Sequence, residues 1–116
     1  MSQIFSASIA ESAGLSSIEP IPGLPGWTVD RQGQTAFYKI NHNLHLSNPD
    51  TQLQVFVSSD LHSPDRSHAP DLYYKAVEVF GQESDSFLIR TLEIRTSRPE
   101  FYEHSGPFTF IALLKE

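Results

Sequence analysis

Residues 35–46, TAFYKINHNLHL, place Ala36, Tyr38, Ile40, Leu44 and Leu46 at every second position, with only His42 interrupting that face. Between them stand Lys39, Asn41, Asn43 and His45, with Phe37 the exception. An alternation of period two puts one set of side chains on one face of a pleated strand, so 35–46 is predicted to be a strand. The same reasoning predicts strands at 27–30, at 52–59 with Leu53, Val55 and Val57 on one face, and at 73–80. Two more are predicted at 86–96 and 108–114. The 86–96 run changes phase: Phe87 and Ile89 share one face, Leu92 and Ile94 the other. A bulge near Arg90 and Thr91, or cover on both faces, accounts for such a shift. The last run, FTFIALL, is apolar on both faces, as expected of a central or covered strand.

The links between these runs are rich in turn formers. Residues 31–34 hold a glycine at hairpin length, 47–50 read Ser-Asn-Pro-Asp, and 81–85 begin with glycine. Residues 60–72 and 97–107 are longer loops. Short links favour pairing of sequential strands. The expected fold is therefore all-β: a small antiparallel meander, barrel or sandwich of about six strands with an N-terminal arm. The alternative is an α+β fold with an N-terminal helix on one sheet face. Up-and-down connectivity would bring the links 31–34, 60–72 and 97–107 to one rim.

Residues 1–26 contain no Lys or Arg and read as an arm ending in a Pro/Gly-rich turn or linker, EPIPGLPG; 27–116 form the antiparallel β domain. Ile4, Phe5, Ile9, Leu15 and Ile18 make the arm too apolar to leave in water. It has three ways to cover them: across the sheet, along an edge strand, or on a neighbouring subunit.

Composition narrows the function. The 116 residues suit one core, and 39% are hydrophobic. The absence of cysteine excludes internal disulfides, thiolate zinc sites and a cysteine nucleophile. The formal charge of −6 disfavours nucleic acid as a partner. Arg90, Arg95 and Arg98 surround Glu93 and read as a solvated strand edge with cross-strand ion pairs. No apolar run approaches the ~20 residues of a membrane span, and the N-terminus lacks a basic, then apolar, leader pattern. No membrane partner is expected, and the expected location is cytoplasmic.

Chemistry-bearing residues gather in the loops. The run DLHSPDRSHAPD holds Asp60, His62, His68 and Asp71, and His104 lies in the second long loop. Imidazole and carboxylate together suit a transition metal or a general base, yet no spacing matches a ligand pattern, so neither metal nor cofactor is expected. His42 is expected either as a core histidine bonded to a carbonyl or a tyrosine hydroxyl, or as a polar group projecting into a ligand cavity. Tyr38 and Tyr73 would join it as ligand-binding candidates. Trp27, after Pro25 and Gly26, is expected to close one end of the core.

Two functions follow. The first is a non-enzymatic protein-binding or assembly module that self-associates or takes a protein partner. It is favoured by the apolar arm, the double-faced last strand and the lack of a catalytic signature. The alternative is a small β-barrel enzyme or carrier holding an apolar small molecule in its interior.

Overall fold

The computed structural model describes residues 2–31, 36–59, 73–95, 101–103 and 106–115, with backbone alone at 73–75, 93–95 and 101–103. The elements are β1 (Gln3–Ile9), β2 (Glu19–Pro20), β3 (Thr28–Arg31), β4 (Phe37–Asn41), α1 (Pro49–Gln52), β5 (Leu53–Ser59), β6 (Tyr73–Gln82), β7 (Ser86–Arg95), β8 (Phe101–Glu103) and β9 (Phe108–Leu114). They form two antiparallel sheets. One has the order β1-β9-β5; the other runs β2-β3-β4-β7-β6, with β8 pairing β7 beyond the end of β4.

The all-β expectation holds, and of its three variants the sandwich is realised. The meander is corrected: β4 pairs with β7, while β5 pairs with β9 in the other sheet. The sheets do not close into a barrel. The rival N-terminal helix is also corrected, because 3–9 form β1, which pairs along its length with β9 of its own chain.

The reason lies in 42–52, which carry the chain from one sheet to the other. The alternation across 35–46 predicted one long strand, but β4 stops at Asn41. Asn43 and His45 adopt φ of 57° and 53°, a left-handed conformation that asparagine and histidine enter more readily than most residues. The backbone N–H groups of His42 and Asn43 go to the Asp85 carbonyl, and that of Leu46 to Ser84. The segment is thus tied to the turn before β7 instead of extending a ladder. Pro49 then starts α1, and the Gln52 side chain accepts the Asn48 N–H at 2.7 Å. The expected turn at 47–50 is therefore the entry to one helical turn.

The EPIPGLPG segment is an ordered double turn. Leu24 N–H bonds the Ile21 carbonyl, and Trp27 N–H bonds that of Leu24. Each turn has proline second and glycine third, and Gly23 and Gly26 have φ of 82° and 84°. That is the type II arrangement, in which proline presets the first angle and glycine accepts the positive one. The double turn folds β2 back onto β3 in the register Glu19↔Val29.

β9 is central in its sheet, as its two apolar faces predicted. β7 pairs with β6 without a break at Arg90 and Thr91; the irregularity falls in β6, where Phe80 is the extra residue between Val79 and Gly81. The phase shift in β7 instead reflects cover on both faces, since Thr91 and Leu92 are both buried. Inward-facing Phe108, Phe110 and Ala112 of β9 and Leu53 of β5 meet Tyr38, Ile40, Phe87 and Ile89 of the larger sheet. Fully burying one such apolar side chain contributes about 1.5–3 kcal/mol.

Candidate functional site

Trp27 lies where the sheets face each other. Its ring stacks on Phe110 at 5.8 Å and touches Phe5 at 4.7 Å, both from the smaller sheet, and meets Phe87 of the larger one edge-on at 6.4 Å. His42 completes this group, 5.6 Å from Trp27 and 6.1 Å from Phe87, and is only 3% exposed. Its Nδ1 accepts the Leu44 N–H at 3.1 Å, so the neutral ring carries its proton on Nε2. Nε2 is buried and has no hydrogen-bond partner among the described residues. Burial pushes the imidazole below its ordinary value; the Asp85 carboxylate opposes this and His45 reinforces it. His42 is thus a core histidine, but its ring nitrogen meets a backbone N–H rather than a carbonyl or tyrosine hydroxyl. Its ring packs against those of Trp27 and Phe87.

Asp85 Oδ1 accepts the His45 N–H and lies 2.8 Å from His45 Nδ1. Both side chains are largely exposed, so the pair fastens the 42–46 segment at little gain in energy. Tyr38 is also a fastening. Its hydroxyl donates to the Glu11 carbonyl at 2.7 Å and accepts from the Gly106 N–H. Arg31 covers its ring at 5.2 Å and donates to the same Glu11 carbonyl at 3.0 Å. Burial raises the Tyr38 pKa, with Arg31 opposing and Glu11 reinforcing. The tyrosine is fully buried, edge-on to Phe108.

Of the other candidates, Tyr73 opens β6 opposite Arg95. Asp60, His62, His68, Asp71 and His104 lie outside the described residues. The strand ends that lead into the expected rim loops, Arg31, Ser59, Tyr73 and Arg95, do lie toward one end of the sandwich. Among the described residues no three His, Asp or Glu side chains gather as a metal site, and no helix is long and apolar enough to cross a membrane.

A half-open cleft of about 240 Å³ lies where the end of β1 passes β2 and β3, lined by Ile9, Ala10, Ala13, Ile21 and Val29 with Glu19 its only charged residue. It is smaller than the ~300–1,000 Å³ of sites that enclose a drug-sized ligand.

The outer faces of the two sheets differ sharply. On the larger sheet charges are interspersed: Asp30 stands opposite Lys39, and Glu78 is ion-paired to Arg90 across β6 and β7. The smaller sheet has nine outward positions: Ile4, Ser6 and Ser8 on β1, Thr109, Ile111 and Leu113 on β9, and Gln54, Phe56 and Ser58 on β5. None is charged. Ile111 stands opposite Phe56, and Ile4 opposite Leu113. Ile4 is 71% exposed, Phe56 53% and Ile111 46%. The second apolar side of FTFIALL was the sequence signal for this face; the contributions of Ile4 and Phe56 to it were not legible.

No protein-family model, curated protein or solved structure matches the chain.

Proposed function

We propose that this chain is a non-enzymatic assembly module that binds protein, and first of all a second copy of itself, through its three-stranded sheet. The observation that carries the proposal is the uncharged outer face, with Ile4, Phe56, Ile111 and Leu113 as its large apolar groups. The chain as a whole carries −6, so two copies repel one another over most of their surface. This face is where they meet without that repulsion. Exposed apolar groups in adjoining rows are also what an interaction surface presents. The described histidine and tyrosine candidates are spent as internal fastenings, which supports a binding role over a catalytic one.

The alternative, a carrier of an apolar small molecule, finds little support. Among the described residues the interior between the sheets is filled by Phe87, Phe108, Phe110 and Trp27, and the cleft beside β2 is small for such a ligand. A cytoplasmic location belongs to the same reading, and recovery in the soluble intracellular fraction checks it.

Light scattering on the purified chain at micromolar concentration tests the function. A dimeric mass is expected, and Ile4→Lys combined with Ser8→Lys, which puts two charges on the β1 side of the uncharged face, should weaken the dimer at least tenfold while leaving the circular dichroism spectrum unchanged. A monomeric mass for the unaltered chain across that range sinks the proposal.

A further inference from the structure

The manner of association can be read from the edges of the sheets. Three strands about 4.8 Å apart, each of seven residues rising about 3.4 Å, cover roughly 340 Å². That is under half of the roughly 800 Å² per partner in stable interfaces, so stacking of the two outer faces alone is too small. A free strand edge adds main-chain hydrogen bonds to such a contact.

β1 is such an edge. Among the described residues its one partner strand is β9, on one side only. Its sequence, QIFSASI, contains no charge, no proline and no bulge. Natural sheets blunt their edges with these features, and both edges of the larger sheet have them. β6 carries Lys75, Glu78 and the extra residue Phe80. β2 is two residues long and ends in Pro20. β5 shares the lack of charge and proline, but its Leu53 carbonyl is taken by the Gln82 side chain of β6, which packs beside it.

We propose that β1 pairs antiparallel with β1 of a second copy about a two-fold axis at Ser6, joining two three-stranded sheets into one of six strands. This rests on the self-association proposed above and specifies its geometry. Residues directly opposite in an antiparallel pair point to the same face, and a slip of one residue reverses every side chain. Phe5, Ala7 and Ile9 face the core, while Ile4, Ser6 and Ser8 face outward. Only registers that place a residue opposite itself, or opposite one an even number of positions away, keep these sets apart. Among them, the register centred on Ser6 overlaps all of β1. It sets Ile4 opposite Ser8 and Phe5 opposite Ala7, so the uncharged outer face runs across the junction and doubles in extent.

The chain has no cysteine, so single-cysteine variants give a clean test. Opposite Cα atoms in an antiparallel pair are about 4.5–5.5 Å apart, inside the ~4.4–6.8 Å that a disulfide spans. Under oxidised glutathione, full-length Ser6→Cys should cross-link to a covalent dimer. Ile4→Cys and Ser8→Cys should each remain single chains when alone and cross-link when mixed. A charge pair provides an independent reading. Ser6→Lys and Ser6→Glu should each weaken the dimer at least tenfold, and an equimolar mixture should restore it. A dimeric mass for the unaltered chain with neither the cross-links nor the charge rescue overturns the β1 pairing and leaves self-association standing. A monomeric mass overturns both.

Discussion

At the scale of single residues, His42 and Tyr38 hold segments of the fold together. His42 is buried neutral, and burial lowers its pKa below the ordinary value of 6.5. The unfolded chain therefore binds a proton near pH 6.5 that the folded chain refuses. Stability is full above that pH, declines as pH falls toward the lowered folded value, and stops declining below it. A His42→Leu variant removes this linkage. Urea denaturation at pH 7.5 and 5.5 should show the wild type losing more stability between the two than the variant does; equal losses would show that His42 is not the group concerned. Tyr38→Phe deletes the hydroxyl that serves both Glu11 and Gly106 and should cost about 1–3 kcal/mol, read by the same denaturation. Gly14 is constrained twice over. Its φ is 71°, and a Cβ there would lie 2.9 Å from the Arg31 backbone nitrogen, whose N–H bonds the Gly14 carbonyl. Gly14→Ala should therefore cost more than the about 1–2 kcal/mol of a left-handed alanine in open space.

At the scale of elements, the double turn before Trp27 provides that comparison. Gly23 and Gly26 also have positive φ, but nothing lies within 4 Å of a Cβ added at either. Alanine at each should cost only the backbone term, about 1–2 kcal/mol, and the two costs should add if the turns act independently. Thermal unfolding of the single and double variants checks this, and a loss at either position as large as that for Gly14→Ala would contradict the steric distinction. The same turn aligns β2 on β3 and delivers Trp27 between the sheets, where it meets rings from both. β1 likewise matters beyond its own length: Phe5 touches Trp27, and Ile9 belongs to the core. Point changes on its outward side are therefore better probes of assembly than removal of the strand.

At the scale of the whole molecule, charge distribution governs the prediction. With −6 on each copy and no charge on the proposed meeting face, salt screens a repulsion between the two bodies and removes no attraction within the contact. Raising ionic strength from about 20 to about 300 mM, which shortens the Debye length from roughly 22 to roughly 6 Å, should tighten the dimer. Analytical ultracentrifugation across that range measures the dissociation constant. Weakening with salt would mean that opposite charges hold the copies together, contrary to an uncharged interface.

Strand positions were largely legible from the chain, because period-two alternation depends only on which side of a strand meets water. Leu53, Val55 and Val57, or Phe108, Phe110 and Ala112, announce an inner face whatever strand lies beside them. The Pro-Gly pairs at 22–23 and 25–26 likewise announced turns, since proline and glycine act on their own backbone angles. Pairing was not legible. The alternation of residues 35–46 continues through His42, Leu44 and Leu46 although the ladder ends at Asn41, because bonds to the distant turn at Ser84 and Asp85 hold those residues instead. Nothing local in β5 says that it joins β9 rather than β4, and the decision is made by which core each inward face completes. The roles of His42 and Tyr38 were open for the same reason: their neighbours Trp27, Glu11 and Gly106 are remote in sequence. The amino-acid sequence by itself determined most of the strands after Trp27, the Pro-Gly turns and the uncharged character of residues 3–9. Only the tertiary structure decided the two-sheet arrangement, the free edge of β1 and the neutral outer face, because each depends on contacts between segments that the chain order keeps apart.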